Sequence, residues 1–440
     1  MGKIEGLYSA LMKRNEEAEE ELPGDVRRNV APNGLRQVLA LALQSSGDQT
    51  VNASTVLPWL FAVLGVPTAL TGVLVPIRES GSMLPQAFLT PLVLRIRRRK
   101  WVFVAGALVQ ASAVAAMALT AALGEGLAAG IVIVAALAVF SLGRCLCSIS
   151  SKDVQGRTVP KGERGQINGI ATATAGLVAI TLGVAIRVLG GGDLSAAQLA
   201  WLLAGGAALW VCVALVYTSI REPADDPAQA DETPRETAWL RQMVQLFRDD
   251  RAFRWFVTVR SLLLVSALSP PFIVTLSIQS GSDSLAGLGG FIIASGLAAL
   301  LGGRLFGRLA DRSSRRLMSV GAGVASGVIV LTVVIAAVPG FTGEGWPGAL
   351  LFIGSYFLLT LMHTGVRVAR KTYIVDMAEG DLRTQYTAVS NTAMGVILLV
   401  AGGITSLLAL AHVFWALLFL AALGVVGVFA GVRLPEVSRG

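Results

Sequence analysis

The stretch REPADDPAQADETPRE, Arg221 to Glu236, decides how this chain is divided. It is dense in charge and proline, too polar to enter lipid and too poor in apolar side chains to build a core. Long apolar runs lie on either side of it. With roughly 20 residues as the length that crosses a bilayer, the runs before it predict spans near 35–60, 67–95, 101–123, 127–149, 165–189 and 196–219. Those after it predict spans near 252–278, 286–310, 317–339, 347–368, 384–409 and 412–432. Six spans precede the polar stretch and six follow.

Composition agrees. Apolar residues make up 54% of the 440 and charged residues 15%, where a soluble domain carries roughly 25% charge. A soluble fold has too little interior for that much apolar surface, so lipid is the expected solvent and the fold class all-α. The net charge of +8 raises nucleic-acid binding, but the placement of the cations argues against it. Of the 36 Lys and Arg, 33 fall in the termini, the central linker and the loops on one side of the predicted spans. Clusters such as Arg95, Arg97, Arg98, Arg99 and Lys100, or Arg367, Arg370, Lys371 and Arg383, alternate with loops holding Glu125, Asp193, Asp283, Glu344 and His412. This is the positive-inside pattern of short loops. It places both termini in the cytoplasm, at a bacterial-type inner membrane, with the bilayer rather than a nucleic acid as partner.

The division that follows is a tail over 1–34, a first bundle over 35–219, a linker over 220–251, a second bundle over 252–433 and a tail over 434–440. The linker continues into a segment with Trp239, Leu240, Met243, Val244 and Phe247 on one helical face, suited to a membrane surface. No secretory signal opens the chain, whose early run EEAEEEL, Glu16 to Leu22, is acidic where a signal would be apolar. Cys145, Cys147 and Cys212 have no companions that would complete a metal set, and no phosphate-binding fingerprint or catalytic constellation is present. No enzyme, no metal and no cofactor are expected. The two halves also echo each other: Lys152, Arg164, Gln166 and Gly176 recur 219 residues on as Lys371, Arg383, Gln385 and Gly395, as in transporters built from parallel repeats.

Between spans 8 and 9 the chain reads Gly307-Arg308-Leu309-Ala310-Asp311-Arg312-Ser313-Ser314-Arg315-Arg316. This resembles the loop signature of the major facilitator superfamily: a glycine, an aspartate four residues on, then a basic cluster. The corresponding loop of the first half, Pro91 to Lys100, keeps the cations but has neither glycine nor aspartate. The resemblance implies secondary transporters made of two six-helix bundles that rock about a central site. It also implies a conformational latch, with Asp311 facing the start of span 5 and Arg312, Arg315 or Arg316 reaching Glu163 or Asp153. The plainer alternative is that these charges only fix topology.

A charge near the bilayer centre costs roughly 2.5–3.5 kcal/mol on insertion scales, so intramembrane polar residues point to a site. Span 1 carries Gln44, Asp48 and Asn52 on one helical stripe. Span 2 carries Arg78 and Glu79 at similar depth. An Asp48–Arg78 pair would lower the cost of both charges and leave Glu79 as the freer carboxyl, suited to bind and release a proton as access alternates. The alternative is a permanent ion pair between spans 1 and 2. Arg260 is placed a third of the way into span 7, where it could snorkel. Arg144 and His363 are placed near the basic ends of spans 4 and 10, in interface roles. Tandem Pro270-Pro271 should kink or break span 7. Tyr356, Thr360 and Asn391 are candidate wall residues of the second half. The expected activity is proton-coupled efflux of a small organic or amphiphilic solute by alternating access, the proton gradient supplying the energy and the protein acting as a monomer. Uptake of an organic anion held by Arg78 or Arg260 is the alternative, and a receptor or lipid scramblase on the same fold is the rival from another class.

Overall fold

The computed structural model describes residues 3–20, 22–160, 163–189, 195–224, 236–281, 285–377 and 382–437. Among the described residues all regular structure is helical, the arrangement that satisfies every backbone group without water. Three short helices, α1 (Lys3–Leu11), α2 (Glu16–Glu20) and α3 (Gly24–Arg27), lead into α4 (Val30–Thr50). The first half continues through α5 (Val56–Val63), α6 (Thr71–Met83), α7 (Gln86–Leu94), α8 (Lys100–Leu123), α9 (Gly126–Thr158), α10 (Arg164–Leu189) and α11 (Ala196–Thr218). In the linker lies α12 (Glu236–Asp249), the amphipathic segment; of its expected apolar face the side chains of Trp239, Leu240 and Met243 lie outside the described set, and Val244 and Phe247 are exposed. The second half is α13 (Arg251–Leu262), α14 (Val265–Leu268), α15 (Pro270–Gln279), α16 (Leu285–Ala336), α17 (Gly345–Met377), α18 (Leu382–Ala411) and α19 (Val413–Val432).

Among the described residues nine segments are long and apolar enough to cross a membrane, each by itself. Expected spans 1, 2 and 8 lie outside that set, and span 7 lies within it although its helix is broken. Span 1 is two helices, α4 and α5, separated at 51–55, and its polar stripe makes it less apolar than its neighbours. Span 2 breaks between Met83 and Gln86, at Pro85, and carries Arg78 and Glu79. Spans 8 and 9 run together as α16, interrupted only at Ser313, whose backbone is extended. Span 7 breaks twice, at Leu263–Leu264 and at Ser269, with Pro270 opening α15. A proline inside a helix lacks the N–H that would bond back, and at a helix start that loss costs nothing.

The internal repeat is deeper than four matching residues. Helices α9 and α17 are each 33 residues long; they start at Gly126 and Gly345 and end at Thr158 and Met377. Both pairs of bounds are 219 apart, and both opening glycines have positive φ, +61° and +70°. The same offset joins the glycines at which the halves meet. A Cβ on Gly176 of α10 would lie 2.7 Å from Leu300 of α16, and one on Gly395 of α18 would lie 2.6 Å from Leu84 next to α6. Two turns further on, a Cβ on Gly183 would lie 2.7 Å from the Gly289 carbonyl oxygen, and one on Gly402 would run into the Pro76 ring and lie 3.2 Å from the Gly72 oxygen. Thus α10 packs on α16 as α18 packs on α6, along two matched seams where only a hydrogen side chain permits the approach.

Candidate functional site

Where α4 ends at Thr50, the backbone turns out of helix and leaves the Val51 carbonyl free of an intrahelical partner. Asn52 stabilises the break: its side-chain oxygen accepts from the Ser54 amide at 2.8 Å, and its carbonyl accepts from the Thr55 and Leu57 amides. The expected stripe of span 1 is therefore interrupted. Gln44 and Asp48 stay on α4, Gln44 buried in packing, while Asn52 sits in the break at the cavity wall.

Arg78, from α6, donates to Val51 O at 3.3 Å and to Asp48 Oδ1 at 3.0 Å, with its guanidinium 5.8 Å from the centre of the Phe140 ring. The other carboxylate oxygen of Asp48 accepts from Arg144 Nη1 at 2.5 Å. One carboxylate thus serves two guanidiniums from two helices. The sequence reading had Arg144 near the basic end of span 4. Helix α9 runs on to Thr158, so at about 1.5 Å per residue Arg144 lies about 21 Å inside that end. His363 moves inward by the same amount, because α17 runs to Met377 and not to 368. These two residues are 219 apart, equivalent positions of the repeat. Arg370, read as a loop cation, is likewise inside α17.

Several of these groups, though not Asp48 or Arg144, line a cavity of about 200 Å³ between the halves. From the first half come Asn52, Arg78 and Glu79; from the second, Pro270, Ser295, Tyr356, Thr360, His363 and Arg370. Tyr356, Thr360, His363 and Arg370 are spaced by four, three and seven, one face of a helix, and that periodicity was legible in the sequence. Tyr356 is buried and packs edge-on against Phe291, ring centres 5.3 Å apart. Among the described residues none gives the Glu79 carboxylate a hydrogen bond or ion pair, and its field acts on both Arg144 and Arg370. Arg260 does not snorkel. It is buried and donates to Ser390 and, at 3.1 Å, to Asn391 Oδ1. Asn391 therefore anchors that arginine and is absent from the cavity wall.

The expected latch is not formed between its described members. Arg315 lies 3.5 Å from Glu436 and donates to the Val432 and Leu434 carbonyls, which ties it to the chain leaving α19. Arg312 and Arg316 are exposed. The surroundings of Gly307 and the side chain of Asp311 lie outside what is described. Glu163 already has partners from the N-terminal segment: it accepts from the Tyr8 hydroxyl at 2.5 Å and from the Asn15 amide at 3.0 Å. Asp153 pairs with Arg99 and with Arg157. The physical reason is proximity, since each carboxylate meets a nearer donor within its own half. In the first half the missing signature aspartate has substitutes: besides Asp153, Glu222 accepts from the Arg99 and Lys100 amides at 3.1 and 2.8 Å. Burial pushes the Glu222 carboxyl up, against the pull of those two amides.

Broken helices, a half-buried carboxylate shared by two arginines and a cavity at the seam of a duplicated bundle describe a transport site. The Major Facilitator Superfamily profile matches residues 38–342. The chain belongs to that superfamily. It is a multi-pass membrane protein and a secondary transporter, not an enzyme. The whole chain is similar in fold to a D-xylose–proton symporter, at 12% identity and a TM-score of 0.68, covering 92% of this chain and 98% of that one. It is also similar to the nucleoside transporter NupG, at 13% identity and a TM-score of 0.64 over 91% and 98% of the two chains. The inward-open xylose transporter XylE from E. coli gives 11% identity and a TM-score of 0.62 over 91% and 96%. No curated protein matches this facilitator in sequence.

Proposed function

We propose that this facilitator moves a small organic anion together with protons, acting as a monomer in a cytoplasmic membrane with both termini in the cytoplasm. The observation that carries the reading is the charge of the centre. Arg78 and Arg370 line the cavity, Arg144 shares Asp48 with Arg78, Arg260 is buried against Ser390, and among the described residues at this centre only Asp48 and Glu79 carry the opposite charge. Asp48 is shared between two of those arginines, so a guanidinium is left for a carboxylate or phosphate on the solute. This favours anion symport over the efflux of an amphiphilic solute that the sequence favoured.

Coupling follows from competition. Ionised Glu79 and the solute anion would both be drawn to Arg370; a proton on Glu79 releases that arginine for the solute. Proton and anion would then load together and leave together. The proton gradient supplies the energy and no cofactor takes part. Proteoliposomes with an imposed pH gradient test the reading against a panel of small carboxylates, phosphates and neutral solutes. Saturable, gradient-driven uptake of an anion that is lost in Arg370→Gln, with gradient dependence lost in Glu79→Gln, is the expected result. Exchange of neutral solutes alone would refute the anion assignment, and lipid equilibration without solute flux would make the protein a scramblase.

A further inference from the structure

Away from the central cavity, the start of α13 and the end of α19 form an open crevice of about 830 Å³ on the face that carries the basic loops. Arg251, Arg254 and Arg433 line it beside Trp255, Thr258 and Phe247, and among the described residues no acidic side chain does. Arg254 is held in place: its Nη1 donates to the Phe247 carbonyl at 3.3 Å and to that of Arg248, both in the last turn of α12. That bond fastens the linker helix to the second bundle. Among the described residues none gives the guanidinium of Arg251 or of Arg433 a hydrogen bond or an ion pair. The neighbouring Asp250 is turned to other work, accepting from the Phe253 amide at 2.9 Å and the Tyr386 hydroxyl at 2.5 Å.

Apolar surface runs from this cationic mouth along the outside of the bundle. Phe429 and Val432 of α19 are 70% and 62% exposed, and Val244 of α12 is 68% exposed. A bare basic notch opening onto lipid-facing apolar surface, with a tryptophan at the boundary, has the polarity of a phospholipid: anionic headgroup outside, acyl chains alongside. We infer that this crevice binds an anionic phospholipid of the adjacent leaflet, its phosphate between Arg251 and Arg433 and its chains along Phe429 and Val432. The lipid would join α12, α13 and α19, and so attach the linker between the two halves to the membrane. A free inorganic anion would gain nothing from the apolar surface, which is why a lipid is the chosen occupant.

The test titrates the purified full chain in mild detergent with phosphatidylglycerol or phosphatidylcholine and counts retained lipid by native mass spectrometry. One cation near an anionic surface is worth roughly a fivefold preference, so losing two should cost about twenty- to thirtyfold. Arg251→Gln/Arg433→Gln should therefore lose most of the preference for phosphatidylglycerol. The control Arg95→Gln/Arg98→Gln removes two exposed cations elsewhere on the same face and should keep it. Should the double variant fold poorly, Arg433→Gln alone, at an exposed helix end, should still lose about fivefold. Equal losses in test and control variants, no preference in the unmodified protein, or full displacement of the lipid by inorganic phosphate would each overturn the assignment.

Discussion

Asp48→Asn removes the one carboxylate on which two arginines converge. Arg78 Nη2 lies 3.0 Å from Oδ1 and Arg144 Nη1 2.5 Å from Oδ2. The three side chains are 14%, 18% and 33% exposed for Asp48, Arg78 and Arg144. An asparagine keeps one acceptor and no charge, so both guanidiniums lose their counterion and one loses its hydrogen bond. Removing one partner of a buried pair costs roughly 3–5 kcal/mol; the partial exposure of Arg144 places this case at the low end, about 3 kcal/mol. Arg144→Gln is milder, because Asp48 keeps Arg78, and a charged hydrogen bond lost with its partner still satisfied is worth about 1.5 kcal/mol. The double variant should be more stable than Asp48→Asn alone, since the second change deletes a charge the first has stranded. For the double variant to fall between the two single variants the coupling must exceed the cost of Arg144→Gln, so it should be about 2 kcal/mol.

The assay is thermal unfolding of the purified protein in detergent under one fixed set of conditions, followed as the order of apparent Tm across the four proteins. The order expected is wild type, Arg144→Gln, the double variant, then Asp48→Asn. If Asp48→Asn melts at or above Arg144→Gln, or if the two changes add, then the arginines do not depend on the shared carboxylate. The central cluster would then have to be read as a set of independently hydrated charges.

Further outcomes test other contacts. Tyr8→Phe should free the N-terminal helix by removing its hydroxyl bond to the buried Glu163, seen as faster proteolysis of segment 3–20; unchanged cleavage would mean that α1 is held by other contacts. Burial raises the Tyr8 hydroxyl and its bond to Glu163 raises it further, so the docking should hold below the ordinary tyrosine range near pH 10 and weaken above it. Gly402→Val should strain the seam against Pro76, cost about 1–3 kcal/mol as overpacking does, and slow transport; a neutral result in both melting and flux would show the seam to be compliant. Burial opposes the ionised Asp250, but hydrogen bonds from Tyr386 and from the Phe253 and Ala252 amides, with the charge of Arg254, outweigh it and hold its carboxyl below the usual range. Asp250→Ala should therefore lose about 1 kcal/mol of capping at neutral pH, a difference that disappears as pH falls below the ordinary carboxyl range near 3.8. A gap in melting temperature that does not narrow as the pH is lowered from neutrality through the carboxyl range would contradict this.

Much of this architecture is legible in the sequence, and the parts that are not share a cause. Apolar periodicity and cation placement are read locally, and both fade where charged residues accumulate. The cations from Arg144 to Lys152 and from Arg367 to Lys371 accordingly draw the expected ends of spans 4 and 10 in to 149 and 368, although backbone hydrogen bonding continues through a charged residue if the bundle shelters it. The helices α9 and α17 run 9 residues past the expected ends, to Thr158 and Met377, and that extension is what brings Arg144, His363 and Arg370 to the centre. The 219-residue echo is visible at Lys152 and Lys371; carried eight residues back, it pairs Arg144 with His363 and exposes their common depth. The bonds of Glu163 to Tyr8 and Asn15 span 155 and 148 residues and leave no periodic trace. They are products of packing alone.

The repeat also shows where the halves parted company. Gly72 and Gly289 hold matching places against Gly402 and Gly183, a separation of 217; on that register Arg78 corresponds to Ser295, and Ser295 lines the same cavity. At the other matched position Arg144 faces His363. The scaffold kept its glycines while the centre changed its charges, so the Asp48 cluster belongs wholly to the first half. Pairs made within one half survive a rigid-body rocking of the two bundles. Glu79 and Arg370 belong to different halves, and their separation must change when the bundles move. In the proposed cycle that makes the Glu79–Arg370 attraction the state-dependent one and the Asp48 bridge the constant one. Glu79→Gln should then alter the coupling of flux to pH while leaving stability near wild type, whereas Asp48→Asn should do the reverse first, losing stability before coupling can be read.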